Sequence, residues 1–345
     1  MKLFKTSLLA LTAVTAASVQ AQMGPSLDEL KASLVPYASP ADSVKLPDGR
    51  TLGITCMGEG SPTVILTAGM GDFAGMAWGT VQPEMAKVTR VCAWDRPGWG
   101  LSDGADGKHT VATTTAALET ALATGKIPGP YVMVGHSLGG YESLLYADRH
   151  PDQVVGMVLV DSSFPDQMAA GERVGLPSPD PETGAPVLFR KCAAAIREGR
   201  VKLGGPDPDR CMHYPEFFPP ELAQAFGAKV SNPIQYETMA SFLTTFADDA
   251  KIAVNPARNY GDMPLIVLTA TAPLPTPPGA TADEAARMAA WAEEWGRQHE
   301  QLAALSTRGI NARVPGANHY IQRTKPQVVI DAVDAVVGEV RAAKP

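Results

Sequence analysis

The chain has 345 residues, 45% of them hydrophobic and 19% charged, which is the composition of a globular protein and not of a disordered or fibrous one. Its 29 Lys+Arg and 36 Asp+Glu give a formal net charge of −7 with no basic stripe, so nucleic acid and anionic membrane surfaces are poor partners. The length suits one large α/β domain carrying an insertion.

In chain order, Lys2 and Lys5 precede a short apolar run at residues 8–14, and Val19-Gln20-Ala21 offers a small-residue cleavage pattern. These three regions predict a secretory signal over residues 1–21. The apolar run is too short to span a bilayer, so the expectation is an exported protein, periplasmic or secreted, without a stable membrane anchor. Residues 43–46 and 51–56 alternate around Pro47-Asp48-Gly49-Arg50, which predicts a β-hairpin. Short apolar runs follow at residues 63–67, 91–94, 131–134, 158–160 and 265–268, with a weaker one at 310–314. Helical patterns lie between them at residues 110–124 and 138–149. Val328, Val329, Ile330, Val333, Val336, Val337 and Val340 form an apolar stripe on a C-terminal helix. Strands alternating with helices predict a parallel sheet covered on both faces. The alternation stops over residues 164–260, a stretch containing Phe189, Tyr214, Phe217, Phe218, Phe226, Phe242 and Phe246. It reads as an insertion over the carboxyl edge of the sheet, where ligands of open α/β sheets bind. The core then comprises residues 22–163 and 261–345.

Gly135-His136-Ser137-Leu138-Gly139-Gly140 matches G-x-S-x-G, and it joins a strand directly to a helix. That setting is what a nucleophile elbow needs: glycines let the backbone turn tightly, and the serine is presented at the sheet edge near a helix N-terminus. A serine hydroxyl needs a base. Of the six histidines, His136 sits inside the elbow and should point elsewhere, His109 and His150 flank helix ends, His213 is in the insertion and His299 lies in a charged helix. His319 follows the last strand in the loop Pro315-Gly316-Ala317-Asn318-His319, from which it can reach Ser137. The orienting acid has three candidates. Asp161 ends a strand directly and is preferred; Asp166 and Asp283 are the alternatives, although Thr281-Ala282-Asp283-Glu284 reads as a capping box. The backbone N–H groups of Leu138 and Met70 are the expected oxyanion donors, Met70 from the glycine-bearing loop after residues 63–67.

Together these features resemble the α/β-hydrolase superfamily over nearly all of the chain past the signal. Asp95-Arg96-Pro97-Gly98-Trp99-Gly100-Leu101-Ser102 matches that family's D-x-x-G-x-G-x-S segment, and Gly316 to His319 match its histidine loop. The resemblance implies a mostly parallel eight-stranded sheet with helices on both faces and a helical cap after the sixth strand. Two departures stand out. The oxyanion loop carries Ala68-Gly69 where the family has His-Gly, and no acid follows the seventh strand; some members place it after the sixth, which Asp161 would match. The family's second and fourth strands are neighbours, so the resemblance implies a Cys56–Cys92 pair, with Cys192 and Cys211 free to close a loop in the cap.

The expected chemistry is hydrolysis of a small to medium carboxylic ester through an acyl-enzyme, with no metal or organic cofactor. Met70, Met76 and Trp78 near the mouth, with the insertion's aromatics, suggest an apolar substrate part. A peptidase or amidase using the same triad, and a non-catalytic binding protein on this fold, are the competing readings. Oligomeric state is not legible.

Overall fold

The computed structural model describes residues 26–343 except 40–42, 179, 181–182, 213 and 274–278. The expected signal segment and His213 lie outside the described residues.

Among the described residues nine strands form two sheets. β1 (Val44–Lys45) and β2 (Thr51–Leu52) pair antiparallel as a separate two-stranded ribbon. The main sheet has seven strands in the order β3 (Ile54–Met57), β5 (Val91–Trp94), β4 (Thr63–Thr67), β6 (Tyr131–His136), β7 (Val154–Val160), β8 (Leu265–Ala270), β9 (Gly309–Val314). All neighbours are parallel except β3 against β5. The mostly parallel sheet is as expected, but its count is seven, not eight. Residues 51–56 do not form one strand, because Gly53 is claimed by other partners. Its N–H donates to Ser102 Oγ at 2.9 Å and its carbonyl accepts from Asp95 N at 2.9 Å. The ribbon ends before Gly53 and the main sheet starts after it.

Alternate strand residues feed two apolar clusters, as a sheet buried on both faces requires. Val64, Leu66, Val132, Val134, Val158 and Val160 pack with the stripe of helix Pro326–Ala342 on one face. Ile65, Met133, Met157, Leu159 and Val267 pack on the other with residues of helices Val111–Thr124, Gly139–Arg149 and Ala282–Ala303. Burying a side chain of this size is worth roughly 1.5–3 kcal/mol, so these two layers dominate the fold's stability. Between β7 and β8 the described residues contain five helices and no strand. Cys56 and Cys92 are register partners on β3 and β5 and are disulfide-bonded; Cys192 and Cys211 form a second disulfide within the insertion.

Because the strands run parallel, their carboxyl ends share one edge. Ser137 follows β6, Asp161 follows β7, the Ala68–Met70 loop follows β4 and His319 follows β9. The topology alone therefore brings four distant stretches of chain to one place.

Candidate active site

Ser137 is held in a left-handed conformation, φ 51°, between β6 and helix Gly139–Arg149. A non-glycine residue there stores roughly 1–3 kcal/mol of strain. The turn is fixed on both sides: Ser137 N donates to Val160 O at 3.2 Å, and Ser137 O accepts from Gly140 N and Ser163 N, each at 2.9 Å. Gly139 is obligatory for the close approach, since a Cβ there would lie 2.4 Å from Thr67 O. Ser137 Oγ makes no hydrogen bond among the described residues, so the Ser137–His319 contact is not closed here. Such contacts are often long in enzymes without substrate.

The acid–base pair is made. His319 Nδ1 lies 2.7 Å from Asp161 Oδ2. The other carboxylate oxygen, Oδ1, accepts from Trp295 Nε1 at 3.0 Å and from Ala270 N at 2.9 Å. Asp161 is 4% exposed, and its own φ of 41° marks a second strained backbone position. Burial pushes its carboxyl up, but the His319 hydrogen bond, the neighbouring His299 and His319, and the Ala270 N–H outweigh it, and the acid ends below its ordinary range. Asp161 is thus a buried carboxylate held by three N–H donors. An ionised acid on Nδ1 places the imidazole proton there and leaves Nε2 as the basic nitrogen. The alternatives are elsewhere. The Asp283 side chain is 79% exposed and paired with Arg287, and that of Asp166 is 55% exposed.

The other histidines among the described residues are accounted for. His136 points away from the solvent edge, and its Nε2 lies 2.9 Å from the carbonyl of His319. A carbonyl only accepts, so Nε2 carries the proton. Burial, then the proximity of His319, pushes its pKa down to about 3, so the ring is neutral. It is a strut under the histidine loop. His299 is fully buried, with Nε2 2.9 Å from Ser162 O and Nδ1 2.7 Å from Thr269 Oγ1. His109 Nε2 contacts Ala105 O, and His150 sits at a helix C-terminus beside Glu119.

The two N–H groups expected to serve as oxyanion donors are free: neither Leu138 N–H nor Met70 N–H has a partner among the described residues. Gly69 stands against the nucleophile, for a Cβ there would lie 3.2 Å from Ser137 Cβ and 2.7 Å from His136 Nδ1. Arg96 binds the carbonyls of Ala68 at 2.5 Å and Gly69 at 3.0 Å, and pairs with Glu142. Asp95, in the same motif, accepts from Ala74 N at 2.7 Å and Leu101 N at 2.9 Å, and burial pushes its pKa up to about 6. The D-x-x-G-x-G-x-S segment therefore ties loops together and does not itself reach the reacting atoms.

Between Gly71-Asp72, in the loop after β4, and the insertion lies a cavity of about 320 Å³, walled by Phe73, Met76, Trp99, Tyr214 and Phe218. A second cavity, about 620 Å³, borders Asp161, His319 and Trp295. Trp78, expected near the mouth, is instead fully buried in the core with its ring perpendicular to that of His136. Sequence reasoning missed Trp295, although Trp291, Trp295 and His299 recur at four-residue spacing on one helix face, a readable signal. It also assigned no role to Arg96 or Glu142. Among the described residues no cluster of metal-ligating side chains occurs, and no helix is long and apolar enough to cross a membrane.

A family model described as the alpha/beta hydrolase family matches residues 64–332. An uncharacterised protein of Schizosaccharomyces pombe is 43% identical over 91 residues, covering 26% of this chain and 17% of that protein's length. A thermophilic esterase from Thermogutta terrifontis has a similar structure, with TM-score 0.55 and 20% identity over 86% of this chain and 98% of that one. A serine hydrolase involved in carbazole degradation gives TM-score 0.56 and 15% identity over 86% and 98% of the two chains. At these identities the two structures show a shared fold.

Proposed function

The chain belongs to the alpha/beta hydrolase family, and from that premise we propose that it cleaves carboxylic esters through an acyl-enzyme on Ser137. The observation that carries this reading is the 2.7 Å His319 Nδ1–Asp161 Oδ2 contact at the sheet edge that also presents Ser137. In this mechanism His319 Nε2 takes the Ser137 proton as Oγ attacks the ester carbonyl. Leu138 and Met70 N–H groups stabilise the oxyanion, and His319 returns the proton to the leaving alkoxide. Water then attacks the acyl-enzyme by the same route, releasing the acid. Asp161 stays ionised and keeps the ring oriented. The aromatic cavity beside the oxyanion loop supports a substrate with an apolar part. The test is turnover of p-nitrophenyl esters, with an initial burst, against aminoacyl amides. Ester turnover at least tenfold faster is expected; cleavage of amides without esters would contradict the reading.

We also propose that the protein works outside the cytoplasm. Two disulfides, with no free cysteine among the described residues, suit an oxidising compartment and agree with the signal pattern at residues 1–21. Cell fractionation with N-terminal sequencing tests it. A mature start at Gln22 outside the cytoplasm is expected; a cytoplasmic protein retaining residues 1–21 would contradict it.

A further inference from the structure

We propose that the buried Arg96–Glu142 pair is the positioning device of the oxyanion hole, a role that rests on the hydrolase reading above. Arg96 is 3% exposed and Glu142 fully buried. Arg96 Nε lies 2.8 and 3.0 Å from the two Glu142 oxygens, and a terminal nitrogen completes a forked pair. The same guanidinium donates outward to the carbonyls of Ala68 and Gly69. Four oxygens, two from Glu142 and one each from Ala68 and Gly69, thus accept from all three guanidinium nitrogens, a task a lysine ammonium cannot copy.

The geometry has a consequence for the donors. In a trans peptide the C=O and N–H point in opposite directions. With Gly69 C=O held on Arg96, Met70 N–H is turned away from the guanidinium and kept free of protein acceptors. Glu142 sits in the first turn of helix Gly139–Arg149, whose first residues follow Leu138, the other donor. One ion pair therefore links the carrier of one oxyanion donor to the carrier of the other and sets their separation. Thr114 Oγ1 donates to Glu142 Oε1 at 2.5 Å and fixes the carboxylate from behind. Phe242, from the insertion, lies under the guanidinium, 5.6 Å from the ring centroid to Cζ.

A purely structural ion pair and a positioning pair respond differently to apolar replacement. Exchanging both partners of a buried pair for apolar residues of similar volume is often neutral or stabilising. Arg96→Met with Glu142→Leu should then fold and keep its melting temperature within a few degrees, yet leave the Ala68 and Gly69 carbonyls unheld. Turnover is read per active site, counted by stoichiometric fluorophosphonate labelling taken to completion, alongside KM and the pH profile. We expect kcat per site to fall about 100-fold, the scale of one lost oxyanion donor, with KM within about threefold and the pH profile unmoved because His319–Asp161 is untouched. Arg96→Lys, which keeps the charge, should not rescue kcat. Thr114→Val, nearly isosteric, should lower kcat per site several-fold and answers the question if the double variant does not fold. Wild-type kcat per site in a folded double variant, or in Thr114→Val where only that variant folds, would overturn the positioning role alone. Folded wild-type enzyme that neither turns over p-nitrophenyl esters nor takes a fluorophosphonate on Ser137 would overturn the hydrolase reading and the brace with it.

Discussion

Asp161→Asn isolates what the acid does, because its surroundings dictate how the asparagine must sit. Two N–H donors, Trp295 Nε1 and Ala270 N, converge on Oδ1 at 3.0 and 2.9 Å. They hold the amide oxygen there and force the NH₂ to face His319 Nδ1, where Oδ2 now stands 2.7 Å away. An NH₂ donor next to Nδ1 requires a lone pair on that nitrogen, so the proton moves to Nε2 and the ring loses its basic nitrogen toward Ser137. The variant should fold, since both N–H donors keep an acceptor. Its kcat should fall about 10⁴-fold, or ~5 kcal/mol of barrier, as for other enzymes whose orienting aspartate becomes asparagine. The assay is p-nitrophenyl ester turnover with circular dichroism confirming the fold. A loss of less than tenfold would refute the tautomer reasoning and reopen Asp166 and Asp283.

Asp249 gives a pH test: burial pushes its pKa up to about 7 although it caps helix Val111–Thr124 by accepting from Val111 N at 2.9 Å. A folded pKa above the unfolded one means the native state binds the extra proton, so this group's contribution to stability falls as pH rises from about 4 to about 7. Asp249→Asn keeps an acceptor for Val111 and removes that slope; its melting temperature relative to wild type should climb over the window, and parallel curves would contradict this. Gly69→Ala would thrust a Cβ 2.7 Å from His136 Nδ1 and 3.2 Å from Ser137 Cβ, so kcat should fall at least 100-fold with the fold retained, measured by ester turnover and thermal melting. The Cys56–Cys92 bond closes a loop with a sequence separation of 36, so Cys56→Ala with Cys92→Ala should cost about 4 kcal/mol in urea unfolding, and a change under 1 kcal/mol would show that the cross-strand link is redundant.

What could be read in the sequence was local. Ser137, His319 and Asp161 each follow an apolar strand, and parallel strands bring their carboxyl ends to one edge whatever lies between. The Cys56–Cys92 pairing followed from the family's strand order, not from spacing. What could not be read depends on side chains distant in sequence: Arg96 meets Glu142 across 46 residues, and Trp295 meets Asp161 across 134. The four-residue spacing of Trp291, Trp295 and His299 marks a helix face but not the strand end it meets, and nothing around Arg96 announces Glu142. The extra strand was misplaced because alternation over residues 51–56 cannot reveal that Gly53 hydrogen-bonds Ser102 and Asp95 instead of a hairpin neighbour. Trp78 is likewise beyond local pattern, since the short helix Ala74–Trp78 can turn a tryptophan into the core as readily as toward a mouth.

The most direct measurement is fluorophosphonate labelling of the folded, disulfide-intact protein, followed by peptide mass mapping. One adduct per chain on Ser137 is expected, absent in Ser137→Ala and strongly slowed in His319→Ala. Folded protein that turns over esters yet carries its adduct on another residue, or folded protein with no adduct at all, would contradict the assignment of Ser137 as the nucleophile.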